Sequence, residues 1–192
     1  MRCKRTAALI AALVVCGVLA AAEEAGYKKE EFRAFVATSD VDTLRTVSSG
    51  ATIAINRLTT DVELGDLVAA FNAGGQEAFL RVLKKIPKVG YFRKMDEIGY
   101  DLQVALIHPL ADGGRDIFLA TDRPIGFGEA YEQSRSTAYP FTVIELRLGK
   151  DNRGDGTIAN QAKITVSMDG KFFDVENYGP FPVLLKSVHK TK

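Results

Sequence analysis

From Ile98 onward the chain keeps returning to one pattern: apolar residues at every second position, in runs ended by Gly, Asp, Asn or Pro. In FTVIELRLG (141–149), Ile144, Leu146 and Leu148 fall on one face and Glu145 and Arg147 on the other. Side chains of a strand alternate between two faces, so a period of two marks a half-buried strand. The runs 98–107, 115–121, 157–168, 171–178 and 182–189 carry the same signal. Between them lie Asp112-Gly113-Gly114, KDNRGDG (150–156), Asp169-Gly170 and Gly179-Pro180, which are turn residues. Strands joined by short turns pair antiparallel.

Upstream, FRAFVATS (32–39) and ATIAINRL (51–58) are expected strands, with a turn or one helical turn over 40–50. Thr60 and Glu63 form a capping box. Leu64, Leu67, Val68 and Phe71 then make one apolar helical stripe, and Phe79, Leu80, Leu83 and Ile86 a second. Asn72-Ala73-Gly74-Gly75 separates them and Pro87 ends them, which predicts a helical hairpin. The expected fold is α+β in a single domain: an antiparallel sheet of about six to eight strands, free to curl into a partial barrel, with the hairpin packed on one face or end.

The N-terminus breaks this pattern. Arg2, Lys4 and Arg5 precede an uncharged apolar run that ends at Ala20-Ala21-Ala22, the layout of a secretory signal. An uncleaved anchor is the alternative, and Val15 before Cys16 argues against a lipoprotein site. The organisation expected is a signal peptide over 1–22, a partly ordered N-terminal segment over 23–49 and the α+β domain over 50–192, in a periplasmic or extracellular protein. Cleavage after Ala22 removes Cys3 and Cys16, and with them all thiol chemistry. Removing Arg2, Lys4 and Arg5 from the 25 basic residues leaves 22 against 24 acidic, a net charge of −2. That balance gives no overall footprint for nucleic acid, and no later apolar run suggests membrane contact after cleavage.

Few motifs suggest chemistry. GFGEAY (126–131) has Tyr131 where a dinucleotide fingerprint needs its third Gly, and it lies between hairpin strands. DNRGDG (151–156) opens like a calcium loop, but Arg153 occupies a ligand position and Ala162 stands where a Glu is required. His108 and His189 are the only histidines, with no zinc spacing around them. Ser134 and Ser136 lack a nucleophile-elbow setting. No catalytic residue, cofactor or metal is implied. Asp116, Asp122, Glu129 and Glu132 cluster in sequence, and paired carboxylates can run a hydrolysis.

One connection is too long for a simple hairpin: RPIGFGEAYEQSRSTAYPF (123–141). It is expected to be an ordered crossover, stiffened by Pro124 and Pro140 and pinned to the sheet by Ile125, Phe127, Tyr131 and Tyr139. Its charged residues would pair among themselves or cap the backbone. The rival reading makes Arg123, Phe127, Glu129, Tyr131, Arg135 and Tyr139 a binding surface.

INRLTTDVE, GRDIFLATDRPIGFGEA, RSTAYPFTVIELRL and VENYGPFPVLL together resemble a group of secreted bacterial proteins that has no assigned activity. The likeness spans about residues 50 to 189 and implies export and a bacterial source. Three functional readings remain. The first is a non-catalytic binding or structural domain for a protein or small-molecule partner. The second is a carrier with an apolar pocket inside a curled sheet. The third is a carboxylate-dependent hydrolase.

Overall fold

The alternating runs assemble into one antiparallel sheet. The computed structural model describes residues 27–40, 45–127, 141–166, 173–177 and 183–192. In chain order the elements are β1 (Glu30–Asp40), β2 (Arg45–Ile55), α1 (Asp61–Leu83), β3 (Gly90–Lys94), β4 (Tyr100–Leu102), β5 (Val104–Pro109), β6 (Arg115–Thr121), β7 (Phe141–Leu148), β8 (Arg153–Val166), β9 (Phe173–Asn177) and β10 (Val183–Lys190). The strand order is β4-β3-β2-β1-β10-β8-β7-β6-β5, with β9 attached to β8. The expected signal peptide lies outside the described residues.

The two ends of that order are β4 and β5, which only Gln103 separates along the chain. They are halves of one bent strand. The first half pairs with β3 and the second with β6, so the sheet curls into a nearly closed barrel. Gln103 makes the bend: its N–H donates to Ala120 O (2.9 Å) and its Oε1 accepts from Asp122 N (3.1 Å). Thr59 covers the remaining edge of β5, donating to Ala105 O (3.0 Å) while its Oγ1 accepts from Ala105 N (2.9 Å). Closure of this kind leaves little bare strand edge to recruit another chain.

Alternation then sorts the side chains into two cores. Phe32, Ile53, Phe92, Leu102, Leu119 and Ile144 point inward and are fully buried, so side chains fill the barrel as they fill other small barrels. Gly90 is required where β3 meets β2, because a Cβ there would lie 1.9 Å from Ala54 O. The second core forms outside the barrel, where Leu67, Phe79 and Leu83 of α1 cover Val104, Phe118, Phe141 and Val143. Phe79 is its hub, meeting the Phe141 and Phe173 rings edge-on at 5.2 and 5.3 Å. Gln76 adds a polar clasp. Its amide donates to Ile164 O and accepts from Ile164 N (3.1 Å), pairing with β8 beyond the point where β7 stops.

The helical expectation holds in part. The capping box is present, with Glu63 N donating to Thr60 Oγ1 (3.2 Å) and Thr60 N donating to Glu63 Oε2 (2.9 Å). The element spans Asp61 to Leu83 as two helical arms on either side of a kink at Gly74 and Gly75, which leave helical geometry, with Gly75 at φ +60°. At that bend the Phe71 and Phe79 rings come within 6.5 Å, whereas eight residues of straight helix would separate them by about 12 Å. Arg57 ties the start to the end, binding Glu63 through both nitrogens (2.8 and 2.9 Å) and donating to Pro87 O (2.7 Å).

Several strand expectations shift. Residues 45–50 are the first half of β2, not a turn, and residues 56–58 leave the strand. β3 was not legible as a strand, and the single run expected over 98–107 is two strands bent at Gln103. β1 pairs with β2 on one edge and β10 on the other.

Candidate functional site

Each end of the barrel interior is closed by chain-specific chemistry. At one end Glu30 is 7% exposed and accepts from Arg115 Nη1 (2.9 Å) and Nη2 (3.0 Å), Lys190 Nζ (2.5 Å) and the Tyr27 hydroxyl (2.7 Å). Arg115 also donates to Asn152 Oδ1 (2.7 Å) and lies over the Phe32 ring. Burial opposes ionisation of Glu30, but the bonds from Arg115, Lys190 and Tyr27 outweigh it and hold the carboxyl below its ordinary range. Burial, and then Glu30, push the Tyr27 hydroxyl well above its ordinary value.

At the other end residues 122–127 insert Ile125 into the core, while Arg123, Pro124 and Gly126 stay exposed. Ile125 is fully buried in the barrel core, and its N–H donates to Asn160 Oδ1 (2.7 Å) and Thr142 Oγ1 (3.0 Å). Phe127 packs on this core with its ring 6.4 Å from Phe92 and 5.1 Å from Lys94 Nζ. Lys94 Nζ donates to Gly126 O (2.6 Å) and pairs with Glu97 (2.7 Å). Thr121 Oγ1, alone among the described buried side-chain polar atoms, has no partner.

This locates the residues singled out in the sequence. Phe127 is a partly buried packing residue. Arg123 has a side chain that is 61% exposed and pairs with adjacent Asp122 (3.2 Å). Glu129, Tyr131, Arg135 and Tyr139 lie outside the described residues, as does Glu132. Asp116 and Asp122 bracket β6, about 20 Å apart along an extended strand, so these two carboxyls do not converge.

Asp116 belongs instead to an outward groove of about 630 Å³ across β5, β6, β7, β8 and β10. Register sets His108 opposite Asp116, Asp116 opposite Arg147, and Arg147 opposite Asp155. Lys186 completes the row through Asp155 Oδ2 (2.9 Å). Asp116 accepts from Arg147 Nε and Nη2 (2.8 and 2.7 Å), which hold its carboxyl below the ordinary range. Lys186 does the same for Asp155, whose Oδ1 accepts from Ser187 N (3.0 Å) and holds that residue at φ +54°. The neighbouring row adds Phe118, Glu145, Thr157 and the partly exposed Leu184. Charge thus alternates along one side of the groove from Asp116 to Lys186, while the other side mixes apolar Phe118 and Leu184 with Glu145 and Thr157. Sequence inspection missed this site because its members come from five strands, and only the cross-strand register joins them. No family model, curated protein or solved structure matches the chain.

Proposed function

We propose that the protein is an exported, non-catalytic binding domain that recognises its partner on the outer face of the barrel. One observation carries this reading: the interior is occupied by side chains from Phe32 to Ile144, with Glu30–Arg115 at one end and Ile125 at the other. An apolar ligand therefore has little room inside, which weighs against a carrier. The alternating-charge groove is the better binding surface, since its ion pairs fix polar side chains beside the exposed edge of Leu184. In this reading the two arms of α1 act as a helical hairpin that braces the barrel wall beside the groove. Hydrolysis by paired carboxylates needs one carboxyl with a raised pKa to act as the acid. Asp116 and Asp155 are both lowered, which weighs against that chemistry.

Native mass spectrometry of protein purified from its own host tests the proposal. The expected result is a retained partner that Leu184→Asp releases while the melting temperature is kept. A retained apolar small molecule that survives Leu184→Asp would favour the carrier. Turnover of a glycoside or ester panel that is lost in Asp116→Asn would favour the hydrolase.

A further inference from the structure

A second outward row is built differently. Arg153 of β8 is opposite His189 of β10, and His189 is opposite Arg33 of β1. Arg33 is opposite Thr52 of β2, which is opposite Arg93 of β3. Inward neighbours Phe32, Ile53, Phe92 and Val188 are buried, so alternation turns the row outward, with Arg33, Arg93 and Arg153 exposed. Adjacent strands lie about 4.8 Å apart, so the row runs roughly 19 Å across the sheet. Among the described residues, no ion pair involves Arg33, Arg93 or Arg153. Lys190, next to His189, turns inward and is consumed by Glu30. The β3–β4 turn folds over the Arg33–Thr52–Arg93 part of the row and leaves a bowl of about 660 Å³. Two exposed apolar side chains stand in it, Phe35 at 55% and Met95 at 67%. Asp96 and Glu97 also line it, and Glu97 is held by Lys94.

We infer that this row binds a linear acidic polysaccharide laid across the strands. Guanidinium forks match carboxylate and sulfate groups bidentately. The arginines recur at every second strand, about 9.6 Å apart, leaving room for an uncharged stretch between anionic groups. Thr52 offers a hydroxyl between Arg33 and Arg93, and Phe35, two residues along β1 on the same face, offers one aromatic surface for the apolar side of a sugar ring. A single-stranded nucleic acid fits less well, because it stacks successive bases on successive aromatic rings. Here Arg93 already lies over the Tyr91 ring (5.8 Å), so Phe35 stands without a second platform.

Calorimetric titration with oligogalacturonate and a sulfated oligosaccharide tests the inference, with neutral dextran, oligo(dT) and inorganic polyphosphate alongside. The expected result is binding of the acidic sugars that weakens as salt rises. Arg33→Gln, Arg93→Gln and Arg153→Gln should each weaken it by up to about fivefold, the scale of an exposed charge contact. The triple variant should lose it with an unchanged melting temperature, and Arg81→Gln, which removes an exposed cation of α1 outside both rows, should leave it intact. No binding at low salt, or full affinity in the triple variant, would overturn the site. Oligo(dT) or polyphosphate binding as tightly as the sugars would overturn the assignment to a polysaccharide.

Discussion

On one side of the barrel, His108, Asp116, Arg147, Asp155 and Lys186 lie across five strands, and the last four alternate in sign. On the other, Arg153, His189, Arg33, Thr52 and Arg93 lie across five strands without a carboxylate among them. Like charges directly opposite on neighbouring strands are destabilising and opposite charges are favourable. The first row follows the rule for a stable sheet and sits beside the helix-covered core. The second spaces its arginines with His189 and Thr52, and among the described residues no helix covers it. The two rows are therefore different kinds of surface: ion pairs hold the polar side chains of the first in place beside Leu184, while the arginines of the second stay open to an anionic ligand.

The largest expected effect separates the faces by their packing. Phe79 joins α1 to Phe141 and Phe173 on the first side only. Phe79→Ala should cost about 3–5 kcal/mol as a buried aromatic lost. For a chain of this length that is a melting shift of roughly 6–20 °C. Binding of acidic oligosaccharide at the cation row, measured below the new melting point, should be unchanged. A variant that melts like the parent would mean that the phenylalanine cluster does not hold α1.

A smaller effect tests how the inner charges leave the outer row free. Glu30 consumes Arg115 and Lys190 inside the barrel. Glu30→Gln should cost about 3 kcal/mol by leaving buried cations without their counter-charge. Because the folded carboxyl is held below its ordinary range, this contribution is fully present above the unfolded value of about 4.3. It disappears as pH falls from there through the lowered folded value. Urea titrations of both proteins across that window should converge at the acid end. A gap that persists unchanged would show that the ionised form of Glu30 is not what stabilises the barrel.

Legibility in the sequence followed the type of residue facing inward. β6 and β7 present Ile, Leu and Thr to the interior, and their alternation is plain. β3 turns Gly90 and Lys94 inward around Phe92, so its apolar period vanishes, and Arg45–Gly50 of β2 is polar or small at nearly every position. Barrel closure was unreadable for a different reason. It depends on β1 meeting β10 and on a bend at Gln103, and neither leaves a local signal. Both rows share that property, since Arg33, Thr52, Arg93, Arg153 and His189 are strangers in sequence until register aligns them. The stretch from 123 onward has the denser local composition, with two Gly, two Arg, two Glu and two Tyr between Arg123 and Phe141. Its described part turns Ile125 and Phe127 toward packing.

The smallest expected change in stability gives the sharpest test of the comparison. If uncompensated charge is what distinguishes the second row, then removing carboxylates from the first should make it resemble the second. Asp116→Asn with Asp155→Asn leaves Arg147 and Lys186 without their partners. Asparagine keeps an oxygen at 155, so the Ser187 N–H retains an acceptor and the positive-φ residue in β10 keeps its support. Exposed ion pairs contribute little, so the melting midpoint should stay within about 4 °C of the parent. Affinity for acidic oligosaccharide, by contrast, should rise, with a second set of sites and a steeper dependence on salt. Titration of this double variant on the background lacking Arg33, Arg93 and Arg153 isolates the new sites. Binding restored there would establish that an unpaired cation row on this barrel is sufficient. No restoration would shift the weight from charge to shape, and to the bowl that Phe35, Thr52 and Met95 form beside the native row.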